Sequence, residues 1–291
     1  MITSANADML TRSGQPAAEP ADSPDLHVPV CEAVAGSGNL CDPFATVDTG
    51  ASPEDFAPQA VVGSPAFERD GVGLTVGDGV ARLQLRRPAT RNALSLPMAK
   101  AIAAFLQEAA SIPNLKALVI EGSNGFFCSG ADLDTMLNAT EIERGELRRA
   151  IADAVAAITD LPVPTLAAIE GPCIGAGVAI ALACDLRFAA RGAFFSIPAT
   201  RLGLVYNEAW ITRLRDIVGL SAAARVLYCA SSFSVERARS IGLIDDVDES
   251  PALLVEEFLE EVRRNDVAAL RDTCVVLRGR GALSSRDGQA R

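Results

Sequence analysis

The chain has 291 residues, of which 49% are apolar and 22% charged, and its formal net charge is −11. These values are typical of a globular protein with a sizeable core and exclude collagen-like, mucin-like and wholly disordered proteins. The acidic balance argues against nucleic-acid binding, and no apolar run approaches the roughly 18–20 residues of a membrane span.

Cysteine and histidine usage narrows the chemistry further. The seven cysteines form no CxxC pair and the N-terminus shows no signal-peptide pattern, so we expect a reduced cytoplasmic protein without a disulfide framework or a zinc ribbon. His27 is the single histidine. Ser-His-Asp and Cys-His nucleophile systems and histidine metal sites are therefore excluded from the rest of the chain.

Residues 1–65 differ in composition from the rest of the chain. They carry nine acidic side chains, one basic side chain and eight of the sixteen prolines. They account for −8 of the net charge, so the remaining residues carry −3. This composition, without sustained apolar periodicity, predicts a disordered acidic tail.

From residue 66 onward the chain alternates predicted strands and helices. Gly73–Val76 and Ala81–Arg86 are predicted to pair as strands across a turn, and Ser95 is predicted to cap a helix that ends near Ala110. Further strands are predicted at Ala117–Ile120, Thr165–Ile169, Leu186–Ala190 and Phe194–Ser196. Further helices are predicted between Ile142 and Ile158, from the glycine-rich turn after Ile169 to about Ala183, from Glu208 onward, and at Ala252–Arg263. This order predicts an α/β fold with a helical end.

Two segments carry the pattern of a ligand site. Phe126–Leu133 and Ile169–Gly177 each follow a predicted buried strand and contain small residues at a bend before a helix. Small residues allow a ligand to approach the backbone, and a helix N-terminus offers unpaired N–H groups. Two such groups aimed at one point would form an oxyanion hole, although two tight turns without a ligand are an alternative interpretation.

Four further segments belong to the same pattern: Arg87–Leu94, Gly171–Asp185, Pro198–Gly203 and Ser234–Asp245. Together with the two turns, they resemble the crotonase (enoyl-CoA hydratase/isomerase) superfamily over about Val80–Leu277. The resemblance implies a crotonase-type ββα spiral over residues 66–220, a C-terminal helical oligomerisation region over residues 221–291, and a homotrimer or a dimer of trimers. An apolar stripe agrees with such an oligomer, since it needs a covering surface. It consists of Leu254, Phe258, Leu259 and Val262, followed by Val267, Leu270 and Val275.

The resemblance also implies an acyl-CoA thioester as substrate and no other cofactor. The backbone N–H groups of Ala131 and Ala176 would bind the thioester oxygen and stabilise an enolate. Thr90, Arg91, Asp132 and Leu133 match positions that hold CoA in family members. For Asp132 a helix-terminus carboxylate is the alternative interpretation.

The sequence departs from the hydratase pattern at both catalytic glutamates, which are replaced by Ala179 and Ala199. Alanine supplies neither a base nor an acid, so two-glutamate hydration is not expected. The loop before the next helix still offers Glu208 and, as a second donor, Tyr206. The alternatives are a helix-terminus glutamate and a structural tyrosine.

Two classes of function remain open. The first is an acyl-CoA enzyme with non-hydratase chemistry, led by isomerisation of a double bond through Glu208 and followed by decarboxylation or another step that needs little beyond a stabilised enolate. The second is a non-catalytic crotonase homologue that binds acyl-CoA or acts as a scaffold. A Glu208 carboxylate aimed at the two N–H groups would favour the first class.

Overall fold

The computed structural model describes residues 67–279, and the predicted acidic tail over residues 1–65 lies outside the described residues. Ten strands are found in this range: β1 (Phe67–Arg69), β2 (Val72–Gly77), β3 (Val80–Leu85), β4 (Ala117–Glu121), β5 (Thr165–Ile169), β6 (Pro172–Ile174), β7 (Leu186–Ala190), β8 (Phe194–Ser196), β9 (Phe233–Ser234) and β10 (Asp246–Asp248). The strands predicted upstream of residue 197 are confirmed within two residues, whereas β1, β6, β9 and β10 were not predicted.

The described residues also contain eight α-helices: α1 (Leu96–Ala110), α2 (Leu133–Asn138), α3 (Glu141–Asp160), α4 (Ala176–Ala183), α5 (Glu208–Cys229), α6 (Val235–Ser240), α7 (Pro251–Arg263) and α8 (Val267–Leu277). Ser95 caps α1 as predicted, because its Oγ accepts a hydrogen bond from the Met98 N–H. α4 is apolar on every side, and all eight of its residues are buried.

The strands form two sheets. The larger has the order β1-β2-β3-β4-β5-β7-β10, with β1, β2 and β3 antiparallel and the remaining neighbours parallel. The smaller has the order β6-β8-β9. The predicted α/β class is confirmed by this arrangement of strands and helices.

Helices cover both faces of the larger sheet, which explains why its central strands read as continuous apolar runs. In β4, Leu118 and Ile120 belong to the main core cluster, which also contains residues of α1, α3 and α4. Ala117 and Val119 alternate with them and belong to a second cluster, which includes residues of α7. The turns that follow β4 and β5 therefore emerge from a sheet that is fixed on both sides.

The predicted boundary at residue 220 lies within α5, and the oligomerisation role of residues 221–291 stays a prediction. α5 runs across the boundary, with a single non-helical residue at Gly219, and β9 and β10 complete the two sheets. Leu259 and Val262 of the predicted oligomerisation stripe are buried against β3, β4, β5 and β7 of the same chain. Leu254 and Phe258 are partly buried against the same cluster, so the α7 part of the stripe packs mainly within its own chain.

Arg278, directly after α8, ties the end of the described chain to the sheet. Its guanidinium donates to Asp185 Oδ1 at 2.9 Å and to the carbonyl oxygens of Thr159 and Val163, each at 3.0 Å. Asp185 in turn accepts from the Thr165 N–H at 2.8 Å. Because the Arg278 side chain is only 8% exposed, this ion pair is protected from solvent screening.

We expect Arg278→Ala to lower the free energy of unfolding by roughly 3–5 kcal/mol, since it leaves the Asp185 carboxylate buried without its partner. Denaturant unfolding of both proteins measures this difference. The matched control is Arg264→Ala, which removes an ion pair to Glu261 with side chains 68% and 73% exposed. The control should cost less than about 1 kcal/mol. Equal losses in the two variants would contradict the anchoring role.

Candidate oxyanion hole

The two turns singled out in the sequence lie side by side. Cys128 and Cys173 form a parallel bridge, in which the Cys128 N–H donates to Pro172 O at 3.0 Å and Cys128 O accepts from the Ile174 N–H at 2.9 Å. These two bonds join the turn after β4 to the turn after β5. The distance between the turns is therefore set by backbone hydrogen bonds.

Two glycines make this close approach possible. A Cβ atom on Gly177 would lie 2.5 Å from Cys128 O, so any side chain there would force α4 away from the first turn. A Cβ atom on Gly130 would lie 3.0 Å from Ile174 O and 3.7 Å from the Ala176 nitrogen. Gly130 also has φ +103°, which favours glycine.

The N–H group of Ala131 faces the second turn. Leu94 pairs with Ala131 in a parallel bridge, donating to Gly130 O at 2.7 Å and accepting from the Asp132 N–H at 3.0 Å. Successive N–H groups of an extended segment point to opposite sides, so the Ala131 N–H points away from Leu94. It therefore points to the side opposite Leu94, where α4 begins at Ala176.

Ala131 and Ala176 thus face each other across the gap between the turns. Ala176 is the first residue of α4, so helix geometry leaves its N–H without an intrahelical acceptor. Within residues 67–279, neither of these two N–H groups has a hydrogen-bond acceptor. The pair is consequently available to one external oxygen atom.

The replacement of glycine by Ala176 carries no backbone strain. The positive φ of this turn is found at Gly175, with φ 52° and ψ −111°, whereas Ala176 already belongs to the helix. The Gly175 N–H donates to Ser196 O at 2.8 Å, which ties the turn to the smaller sheet.

Tyr206 lies behind this turn rather than in the gap. Its side chain is buried, and its hydroxyl donates to Gly175 O at 2.8 Å. Its ring packs edge-on against Trp210, with the ring centroids 5.2 Å apart. Burial raises the pKa of the phenol well above its usual value, so the hydroxyl keeps its proton as a donor.

The loop that contains Thr90 and Arg91 lies against the first turn. The Ser129 hydroxyl donates to Thr90 O at 2.9 Å, and the Ser129 N–H donates to Arg91 O at 3.0 Å. Both Thr90 and Arg91 are exposed residues. The structure therefore brings these two predicted CoA-side residues to the edge of the candidate hole.

Asn92 organises this loop and was not predicted as a site residue. It is fully buried with φ 56°, and its amide donates to Phe126 O at 2.6 Å while its Oδ1 accepts from the Arg87 N–H at 2.9 Å. A signal was present in the sequence, because asparagine tolerates the left-handed conformation better than most residues.

Asp132 and Leu133 begin the short helix α2. Asp132 Oδ1 accepts from the Thr135 N–H at 3.2 Å, and its Oδ2 lies 3.1 Å from Arg87 Nη1. Partial burial alone would raise the pKa of this carboxyl, but the bonds from Thr135 and Arg87 outweigh it and hold the pKa below its usual value. The helix-terminus interpretation of Asp132 therefore accounts for the carboxylate contacts in the structure.

The two alanines predicted to stand at the hydratase glutamate positions differ in environment. Ala179 is completely buried in the first turn of α4, where its N–H donates to Gly175 O at 3.2 Å. Ala199 is half-buried at the start of a short 3-10 helix, Thr200–Leu202. Neither position offers a group that could transfer a proton.

Glu208 is exposed at the start of α5. The preceding Asn207 caps this helix, since its Oδ1 accepts from the Ala209 N–H at 3.0 Å. Within the described part of the chain, the Glu208 carboxylate makes no hydrogen bond or ion pair. Among residues 67–279, the Glu208 carboxylate is therefore not bonded to any residue of the candidate hole.

Two other carboxyl groups, Glu121 and Glu170, have a pKa that is raised, chiefly by burial. Glu121 ends β4 on the face where Ala117 and Val119 pack against α7. It is in register with Ala168 of β5, which belongs to the same cluster. This face is opposite to the core cluster that contains Cys128, Cys173 and Ala176, so the Glu121 carboxyl points away from the hole.

The cysteines beside the hole are packing residues. Cys128 and Cys173 are both fully buried. Burial raises the pKa of the Cys128 thiol to about 12 and that of Cys173 well above its usual value, so neither is a nucleophile near neutral pH.

Among residues 67–279, no three histidine, cysteine, aspartate or glutamate side chains come together as a metal site. No helix in that range has the length and apolar character needed to cross a membrane.

Comparison with known proteins agrees with this geometry. The enoyl-CoA hydratase/isomerase family model matches residues 75–270. The chain is 30% identical over 204 residues to the enoyl-CoA isomerase/hydratase fer4 of Mycosarcoma maydis, which covers 66% of this chain and 74% of fer4. It is 34% identical over 180 residues to the peroxisomal Delta(3,5)-Delta(2,4)-dienoyl-CoA isomerase of Arabidopsis thaliana, which covers 58% of this chain and 65% of that protein.

The solved structures show the same relationship. The crystal structure of an enoyl-CoA hydratase from Bacillus anthracis matches with a TM-score of 0.68 at 25% identity, over 72% of this chain and 82% of that one. The paired turns, the sheet topology and the family match over most of the chain agree with one another. The chain therefore belongs to the enoyl-CoA hydratase/isomerase family, within the crotonase superfamily.

Proposed function

We propose that this protein binds an acyl-CoA thioester through the N–H groups of Ala131 and Ala176 and uses them to stabilise the enolate of that thioester. The observation that carries the proposal is the pair of N–H groups without an acceptor on two adjoining turns. Such preorganised donors act on charge that develops in the transition state, and one of them is typically worth about 10² to 10³ in rate.

The reaction that best fits the site is decarboxylation of a malonyl-type CoA thioester. The bond between the α-carbon and the carboxylate breaks, carbon dioxide leaves, and the electron pair forms an enolate with its charge on the thioester oxygen. Water then delivers a proton to the α-carbon, which gives the saturated acyl-CoA, and the hydroxide left behind combines with carbon dioxide to give bicarbonate. This step needs no general base, which agrees with alanine at positions 179 and 199 and with an exposed Glu208.

Isomerisation of an enoyl-CoA through Glu208 is the second candidate. Its support is that Glu208 makes no ion pair within the described residues and lies two residues after Tyr206, which contacts the turn of the hole. In this reaction the carboxylate removes a proton from one carbon and returns it to another. A crotonase homologue that binds acyl-CoA without turnover is the non-catalytic alternative.

We expect the full-length protein to convert malonyl-CoA, or a 2-alkyl derivative of it, to carbon dioxide and the saturated acyl-CoA. We expect no hydration of 2-enoyl-CoA, because Ala179 and Ala199 supply no acid or base. Incubation with 2-enoyl-, 3-enoyl- and malonyl-type CoA thioesters, with product identification by mass, tests both statements. Conversion of 3-enoyl-CoA alone would contradict the decarboxylase proposal in favour of the isomerase.

Glu208→Gln separates the two reactions further. Decarboxylation should continue at the wild-type rate, because the carboxylate takes no part in it. Isomerisation should fall by roughly 10² to 10⁴, the usual contribution of a general base. Binding of acyl-CoA without any turnover in the wild type would leave the non-catalytic alternative.

The hole itself is tested by Ala176→Pro, which deletes one N–H at a helical position where proline is normally tolerated. We expect the affinity for butanoyl-CoA to fall about two- to tenfold, in line with the loss of one net hydrogen bond. Calorimetric titration measures the affinity. Val267→Pro, at the first position of α8, is the matched control and should bind as the wild type does. Unchanged affinity in Ala176→Pro would contradict the role of this N–H.

The trimer or dimer of trimers and the cytoplasmic location remain predictions. With the α7 part of the stripe packed mainly within its own chain, the oligomer rests chiefly on the family resemblance. Sedimentation that gives a concentration-independent 30.3 kDa species would contradict it.

A further inference from the structure

The Tyr206 hydroxyl bonds to the same peptide group that presents the Ala176 N–H. The acceptor of the hydroxyl is Gly175 O, and the peptide bond between Gly175 and Ala176 contains both this oxygen and the Ala176 nitrogen. A trans peptide places its C=O and N–H on opposite sides. A donor at the oxygen therefore leaves the N–H open toward a ligand.

A hydrogen bond at one end of a peptide group strengthens the donor at its other end. Hydrogen bonds in a chain polarise one another, by an estimated 10–30% per bond. Gly175 O accepts from the Ala179 N–H at 3.2 Å in addition to the Tyr206 hydroxyl at 2.8 Å. Both bonds draw electron density toward the oxygen and leave the Ala176 N–H more positive.

The contact also holds the peptide in one orientation. The backbone of Gly175 adopts φ 52° and ψ −111°, a conformation that only glycine enters readily and that offers little resistance to rotation. The Gly175 N–H is fixed by Ser196 O at 2.8 Å, and its carbonyl is fixed by Tyr206. Tyr206 is in turn immobilised by burial and by the Trp210 ring.

We propose that Tyr206 is a positioning residue of the oxyanion hole, which orients and polarises the Gly175–Ala176 peptide through its hydroxyl. This inference rests on the proposed function. It assigns to Tyr206 a role in the strength of the hole, in place of the substrate contact expected from the sequence, because the hydroxyl is already committed to Gly175 O.

The test is Tyr206→Phe, which removes the hydroxyl and keeps the ring. Isotope-edited infrared spectroscopy of butanoyl-CoA, labelled with ¹³C at the thioester carbonyl, reports how strongly the hole polarises that bond. We expect the wild type to lower the stretching frequency on binding, and the variant to lose about 10–30% of this shift. Turnover should fall about three- to tenfold, with KM changed by less than about twofold, because the added polarisation acts mainly on the developing charge.

Tyr228→Phe is the matched control, since Tyr228 is the other of the two tyrosines and is 79% exposed. It should retain the full shift and full turnover. A Tyr206→Phe variant that keeps the full shift and turnover, even with reduced thermal stability, would reduce Tyr206 to a packing residue and overturn the inference. A wild type that shows no shift at all would overturn the oxyanion hole itself, and this result is recognised without any variant.

A second measurement covers the case in which Tyr206→Phe does not fold. In the Tyr228→Phe background, 3-fluorotyrosine is incorporated at the single remaining tyrosine. A fluorinated phenol is more acidic and donates a stronger hydrogen bond, so the stretching frequency of the bound thioester should fall further than with tyrosine. An unchanged or smaller shift would contradict the proposed polarisation.

Discussion

The backbone ladder around residues 128–131 is the constraint on which the site depends. This short segment bonds to Arg91 and Leu94 on one side and to Pro172 and Ile174 on the other. The ladder aligns two turns that begin from parallel neighbouring strands, and it can form only because residue 177 has no Cβ. A methyl group on residue 177 would push α4 away from the first turn and so separate the two N–H donors.

A site built from backbone groups explains how this chain differs from a hydratase without losing its fold. The two donors belong to alanines, and replacement of a side chain does not remove an N–H. Alanine at positions 179 and 199 supplies no carboxylate, while the backbone hydrogen bonds between the paired turns are intact. Enolate stabilisation is the part of the family chemistry that such a site can retain.

The C-terminal part of the chain supports this geometry from the far side of the sheet. α7 packs against the same strands whose ends carry the two turns, and Arg278 ties the residue after α8 to Asp185 beside β5 and β7. Residues that are distant in sequence thus hold the strands in place. The helical end of the chain is a structural layer of the core rather than an appended region.

Local patterns determined much of this protein. The apolar runs of the central strands, the Ser95 cap and the small residues at both bends predicted the elements and the two turns correctly, because these signals act within a few residues. The very short strands β6, β9 and β10 carry too few residues for a periodic pattern, and only pairing with distant strands defines them. Tertiary structure alone decided that the α7 stripe is core, that Asp132 bonds to Arg87, and that Tyr206 reaches Gly175, since each depends on which distant surface comes to lie opposite the side chain.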